Sequence, residues 1–177
     1  MRPQQANTPT QPLGASSQKV TRICNFLRIS STLGTAGQPT PKQFADIRAA
    51  GYKIVINLAM PTSTNALPNE RELVAAQGMD YIHIPVVWES PTLADLERFF
   101  QAMDDHEEQK VFVHCAKNMR ASAFVLLYRV IRQQVSLEEA WKTMAKIWEP
   151  NEVWTSFLQQ ALLRHGAVNQ GQGISWT

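Results

Sequence analysis

His114 and Cys115 close a run of β-branched and aromatic residues, Val111-Phe112-Val113, and Arg120 follows five positions later, where a long apolar stretch opens. A cysteine thiolate is a nucleophile, and a planar guanidinium matches two oxygens of a phosphate or sulfate. Ala116, Lys117, Asn118 and Met119 lie between them. If this loop feeds a helix, the first backbone N–H groups have no intrahelical partners and can converge on an anion. That helix end, Arg120, Lys117 and His114 all favour an anionic sulfur. The loop would then hold an oxyanion and aim a sulfur at its central atom, as covalent thiophosphate chemistry requires. Taken singly, Cys115 reads as a small buried hydrophobe and Arg120 as a solvated helix residue. Their pairing at a strand-to-helix junction is what points to chemistry.

The surrounding pattern supplies that junction. "YKIVINL", "MDYIHIPV" and "KVFVHC" read as strands, and "NFLRISSTLGTAGQ" as a short strand with Gly34 and Gly37 at turns. Helices are expected after the Thr40 cap, with Pro41 at the first position, Gln43 completing a capping box and Gly51 as the stop, and from Asn69 to Gln77. Another follows the Thr92 cap, with Leu93, Leu96, Phe99, Phe100 and Met103 on one face. Ala121 to Ile131 is apolar almost all round and predicts a buried central helix; Ser136 and Glu139 open the next, and Pro150 sits in the first turn of the last. Alternating strands and helices imply an α/β domain, a mostly parallel central sheet with helices on both faces. In such sheets ligands bind beyond the carboxyl ends of the strands, where Cys115 falls. The expected division is a flexible tail over 1–21, a catalytic domain over 22–166 and a C-terminal tail over 167–177.

"VHCAKNMRAS", the upstream "YIHIPV" and the buried helix behind them resemble the cysteine-dependent protein tyrosine phosphatases in their small dual-specificity-like form, and within these a compact bacterial branch. The resemblance covers roughly residues 25–160. It implies a protein tyrosine phosphatase-like fold, Cys115 as nucleophile, residues 116–120 as the phosphate loop and Arg120 as the clamp. It also implies hydrolysis through a cysteinyl-phosphate intermediate. The chain departs from the usual signature in having four residues between Cys and Arg instead of five, and Ala121 before Ser122. Ser122 is thus a possible supporting residue for the departing thiolate. With no glycine in the loop, Asn118 is the residue best able to take a positive φ. A six-residue Cys-to-Arg loop also resembles rhodanese-like sulfurtransferases, which carry a persulfide; a catalytically inactive phosphate-binding module is the third reading.

Family members place an acid in the loop after the "IPV" strand, and here Glu89 comes first and Asp95 later. Asp95 suits a capping box with Thr92, so Glu89 is the expected acid and Asp95 its alternative. His114 either orients the loop or is a satisfied strand-end histidine. His83 is expected on the other sheet face, His106 and His165 on the surface, and Trp141 and Trp148 on one helix face in the core. Trp88 either walls a pocket or anchors the loop.

Seventeen Lys and Arg stand against 15 Asp and Glu, without clusters, so neither nucleic acid nor an anionic membrane is an expected partner. Cys24 and Cys115 have no companions at metal-ligand spacing, and no metal or cofactor is expected. No run of apolar residues is long enough to span a membrane. A phosphorylated protein or small phosphomonoester is the expected partner, met by a cytoplasmic monomer.

Overall fold

The computed structural model describes residues 15–168. In chain order the elements are α1 (Ala15–Val20), β1 (Leu27–Arg28), β2 (Leu33–Ala36), α2 (Gln43–Ala49), β3 (Ile54–Asn57), α3 (Glu70–Ala76) and β4 (Asp80–His83). They continue with α4 (Leu93–Asp104), β5 (Val111–His114), α5 (Met119–Ile131), α6 (Leu137–Met144) and α7 (Glu152–Arg164). The strands form one sheet in the order β1-β2-β5-β3-β4, antiparallel only between β1 and β2. This is the expected α/β fold with helices on both faces.

β5 lies at the centre and is buried on both faces, which its unbroken β-branched and aromatic run allows. Successive side chains alternate between two cores. Val111 and Val113 join Ile54 and Ile56 beneath α4, α5 and α7, while Phe112 joins Val55 and Tyr52 on the side of α1, α2 and α3. Helix α5 fills the larger core: Phe124 meets Phe99 edge-to-face and stacks on Phe157, with ring centroids 5.6 and 5.7 Å away. Because β5 feeds directly into this helix, packing of both elements fixes the two ends of the intervening loop.

Several caps match the sequence pattern. Thr92, Ser136 and Asn151 each accept a bond from the N–H three residues on, and Gly51 and Gly78 take positive φ after α2 and α3. Other expectations are corrected. Gly34 is inside β2 rather than at a turn, because a Cβ there would stand 2.3 Å from the Tyr52 hydroxyl oxygen. Helix α2 begins at Gln43, not Pro41; Gln43 Oε1 still accepts from the Thr40 N–H at 2.9 Å. Pro150 lies before α7 and not in its first turn, and Asn151 is the residue that immediately precedes the helix. Trp148 lies beyond the end of α6, so it shares no helix face with Trp141. Part of the expected N-terminal tail is helical: α1 ends at Val20, which is fully buried. The rest of that tail, and the C-terminal one after Val168, lies outside the described residues.

Candidate active site

Cys115 is the first residue after β5 and is buried at 1 % exposure; its N–H donates to the Ala36 carbonyl of the neighbouring strand at 3.3 Å. The chain then turns through Ala116, Lys117 and Asn118 into α5. Asn118 makes the turn with φ 67 and ψ 3, the left-handed conformation expected of it. Its side chain is fully buried, and Nδ2 donates to the Asn25 carbonyl at 2.7 Å and to Thr35 Oγ1 at 3.0 Å. Asn25 answers by donating from Nδ2 to the Lys117 carbonyl at 3.1 Å.

The Ala116 carbonyl is drawn outward by two donors, the Gln38 N–H at 3.1 Å and Asn65 Nδ2 at 3.1 Å. Across a planar trans peptide the next N–H points the opposite way, so Lys117 turns its amide away from them. Among the described residues, no protein acceptor takes the N–H of Ala116, Lys117, Met119, Arg120 or Ala121. Gly37 lies against this loop, and a Cβ on it would stand 3.0 Å from the Ala116 carbonyl oxygen, so no larger residue fits without displacement.

Arg120 is 6 % exposed. Nη1 donates to the Val86 carbonyl at 2.8 Å and Nη2 to Ser63 Oγ at 3.4 Å. No ion pair among the described residues includes it. A buried guanidinium held by neutral groups retains an uncompensated charge, which favours an anion beside it. Free amides, a guanidinium and a sulfur therefore surround one loop, and together they can bind a tetrahedral oxyanion and attack it.

The remaining residues divide. His114 is fully buried; Nε2 meets Glu70 Oε1 at 2.6 Å, and Nδ1 lies 3.4 Å from the Cys115 carbonyl oxygen. Lys117 is exposed, and its backbone bridges Gly37. Ser122 donates to the Met119 carbonyl at 3.0 Å and accepts from Trp148 Nε1 at 3.1 Å, so its hydroxyl already has partners within the fold. Trp88 is an anchor: it packs 5.3 Å from both Trp148 and Trp154, and its carbonyl accepts from Trp154 Nε1. Glu89 is exposed and lines a shallow depression with Glu152, Ser156 and Gln160 of α7. Asp95 is tied into the α4 cap through Thr92 and pairs with Arg98. His83 donates from Nε2 to the Ala59 carbonyl, 2.7 Å away, and His165 is half-buried with its ring against Phe100.

Glu70 is the functional candidate that sequence reasoning missed. At the start of α3 it looks like an ordinary first-turn acid, yet it is 2 % exposed and accepts from Gln38 Nε2 at 2.6 Å and Asn57 Nδ2 at 3.2 Å as well as meeting His114. Burial alone would raise its pKa, but the bonds from His114 and Gln38 and the charges of His114 and His83 hold it below the ordinary carboxylate value. Among the described residues no group of His, Cys, Asp and Glu could hold a metal ion, and no helix is long and apolar enough to cross a membrane.

The chain is similar to known proteins along most of its length. A family model described as a DSP-PTPase phosphatase fused to NAD+ kinase matches residues 21–164. A beta-lactamase hydrolase-like protein of Agrobacterium fabrum is 33% identical over 123 residues, 66% of this chain and 28% of its own length, so the match spans under a third of that relative. A candidate phosphatase (DUF442) from Shewanella putrefaciens CN-32 superposes with a TM-score of 0.77 at 34% identity, over 84% of this chain and 97% of its own. The active form of Tk-PTP shares the fold at a TM-score of 0.68 and 16% identity, covering 78% of this chain and 97% of its own. The chain belongs to the DSP-PTPase phosphatase family that this model describes.

Proposed function

We propose that the chain is a cysteine-dependent phosphomonoester hydrolase acting on phosphotyrosine, or on phosphotyrosine and phosphoserine or phosphothreonine alike. The observation that supports it best is the buried Arg120, without a carboxylate partner among the described residues, at the far end of a free-amide loop that starts at Cys115. In this reading the amides of residues 116–120 and the guanidinium take the non-bridging oxygens. The Cys115 sulfur attacks phosphorus, the P–O bond to the leaving group breaks, and Glu89 gives that oxygen its proton. Water then attacks the cysteinyl phosphate, returns a proton to Glu89 and releases inorganic phosphate and the thiolate. The catalytic unit is residues 22–166, working as a cytoplasmic monomer on a phosphorylated protein or small phosphomonoester.

A second reading, a sulfurtransferase that carries a persulfide on Cys115, is favoured by one feature. Only four residues separate Cys115 from Arg120, the spacing on which the resemblance to sulfurtransferases rests, and that chemistry needs no acid for a leaving oxygen. Hydrolysis of an aryl phosphate in EDTA, measured beside thiosulfate-to-cyanide transfer, separates the two. Hydrolysis abolished by Cys115→Ser is the expected result. Transfer without hydrolysis would overturn the phosphatase reading.

A further inference from the structure

The segment between β3 and α3 reaches across to the loop that begins at Cys115, and no step proposed above uses it. After β3 the chain makes two successive turns, in which the Ser63 N–H donates to the Met60 carbonyl and the Ala66 N–H to the Ser63 carbonyl, each at 3.0 Å. The turns present two polar side chains to opposite ends of the loop over residues 116–120. Ser63 Oγ accepts from Arg120 Nη2 at 3.4 Å, and Asn65 Nδ2 donates to the Ala116 carbonyl at 3.1 Å. The base of the segment is pinned to the sheet: the Leu58 N–H donates to the His114 carbonyl at 2.8 Å and the Ala59 N–H to Asn57 Oδ1 at 2.7 Å. Asn65 is therefore carried on a braced turn, although the residue itself is exposed.

The Ala116 carbonyl is where that reach has a consequence. Its oxygen has two lone pairs, and both are taken, one by the Gln38 N–H at 3.1 Å and the other by Asn65. One donor alone would leave the peptide plane free to swing about the remaining bond, whereas two donors from separate parts of the chain fix it. The planar peptide then sets the Lys117 N–H on the opposite side, where no protein acceptor among the described residues takes it. We infer that Asn65 is a positioning residue for oxyanion binding: its donation to the Ala116 carbonyl fixes the plane of the Ala116–Lys117 peptide and keeps the Lys117 N–H turned to the anion.

Without that donor, rotation of the peptide takes the Lys117 N–H out of line and brings the carbonyl oxygen, with its partial negative charge, towards an anion held at Arg120. One bond thus decides whether this edge of the site offers a donor or a repelling acceptor, and a donor fixed beforehand needs no reorganisation when the anion arrives. The Gln38 donor is backbone and common to any side chain there, so Asn65 is the contact that a substitution can remove.

This inference rests on reading residues 116–120 as the oxyanion loop, and its test measures binding instead of turnover. Tungstate, an unreactive tetrahedral oxyanion, is titrated into the isotopically labelled full chain and followed by calorimetry and by the backbone amide resonances of the loop. In the parent the Lys117 amide proton should move downfield as it bonds the anion. Asn65→Ala removes the donor without adding charge. It is expected to weaken tungstate about fivefold, the worth of one hydrogen bond, and to shrink the Lys117 shift at saturation while the Met119 and Arg120 amides keep theirs. A purely structural role, with the whole loop loosened, predicts that all three shifts shrink together, and that result overturns the inference. So does a parental Lys117 shift in Asn65→Ala, whatever its affinity. Asn65→Asp keeps the shape but sets an acceptor against the carbonyl, so it should weaken tungstate more than Thr64→Asp, which adds the same charge one position earlier; equal losses overturn the inference. If Asn65→Ala does not fold, this pair decides alone, and if neither Asn65 variant folds, Asn65 is a requirement of the fold and the inference is overturned. A parent that binds no tungstate overturns the reading of the loop and this inference with it. A parent that binds tungstate with these variant effects yet hydrolyses no phosphate overturns the phosphatase reading and leaves this one standing.

Discussion

Nη1 of Arg120 donates to the carbonyl oxygen of Val86 at 2.8 Å, joining the start of α5 to the loop that follows β4. The bond gives the guanidinium a fixed orientation before any anion arrives, which lowers the ordering cost of binding. Lysine would keep the charge but lose the planar fork, and its single nitrogen cannot serve Val86 and two anion oxygens with the same geometry. Arg120→Lys is therefore expected to lower kcat as well as raise KM for an aryl phosphate, with kcat/KM reduced by about 10²-fold or more. Steady-state kinetics on the folded variant check this. Kinetics close to the parent would remove Arg120 from the site.

Asn118 combines a left-handed backbone with two side-chain bonds, and two substitutions separate these contributions. Asn118→Ala forfeits both and should cost about 3 kcal/mol, taking about 1 to 2 kcal/mol for the backbone and about 1 kcal/mol per bond. Asn118→Gly relieves the backbone and should recover about 1 kcal/mol of that loss. Urea denaturation measures both. A glycine variant no more stable than the alanine one would show that the positive φ carries no cost here.

The lowered pKa of Glu70 has a stability consequence of definite sign. A carboxyl that is more acidic in the fold than in the unfolded chain contributes stability above its ordinary value of 4.5, and that contribution is lost as pH falls through the lower folded value. Glu70→Gln, which breaks a buried pair, should cost about 3 kcal/mol near neutrality, and the gap to the parent should narrow as the solution is acidified. Tyr81 behaves oppositely. Burial and the Glu70 charge push its phenol up to about 12, so the fold favours the neutral form and loses stability between the ordinary value of 10 and about 12. Denaturation midpoints for parent, Glu70→Gln and Tyr81→Phe across pH test both signs; an acid-independent gap for Glu70→Gln would contradict the first.

The parts of this site visible in the sequence are those whose cause is local. Cys115 follows a strand that announces itself by composition, α5 is apolar on every side, and Asn118 stands out as the loop residue most tolerant of positive φ. Thr92 and Ser136 sit three residues before the N–H groups they cap. What stayed hidden depends on contacts distant along the chain. Gly34 looked like a turn because the Tyr52 hydroxyl that forbids a side chain there comes 18 positions later. Glu70 looked like any acid at a helix start, because only the sheet brings His114 to it. Trp148 fitted a helical spacing with Trp141, but α6 stops at Met144 and its indole instead serves Ser122. Pairing between strands and loops sets these positions, and no periodicity encodes it.

The general acid is the role that the fold leaves most open to measurement. Asp95 was the rival to Glu89, and it is now fully employed: it accepts from Thr92 Oγ1 at 2.7 Å, its own N–H returns to that oxygen, and Arg98 pairs with its other carboxylate oxygen. To donate a proton to substrate it would have to abandon the cap of α4. Glu89 has no ion pair among the described residues and is exposed on a loop whose neighbour Trp88 is anchored to α7. It is three residues beyond Val86, the contact of Arg120, so extended chain covers that span in about 10 Å. A modest movement of this loop on substrate binding would bring the carboxyl to the leaving oxygen, and apo geometry does not exclude such an acid. Glu89→Gln should then lower kcat for an alkyl phosphate by about 10²-fold while leaving an activated aryl phosphate nearly unchanged. It should also flatten the alkaline limb of the kcat profile, which reports loss of the acid's proton. Asp95→Asn should instead cost about 1 kcal/mol of stability through the weakened cap, with the limb intact. If Asp95→Asn removes the limb and Glu89→Gln slows both substrates equally, the acid is Asp95 and the α4 cap opens during turnover.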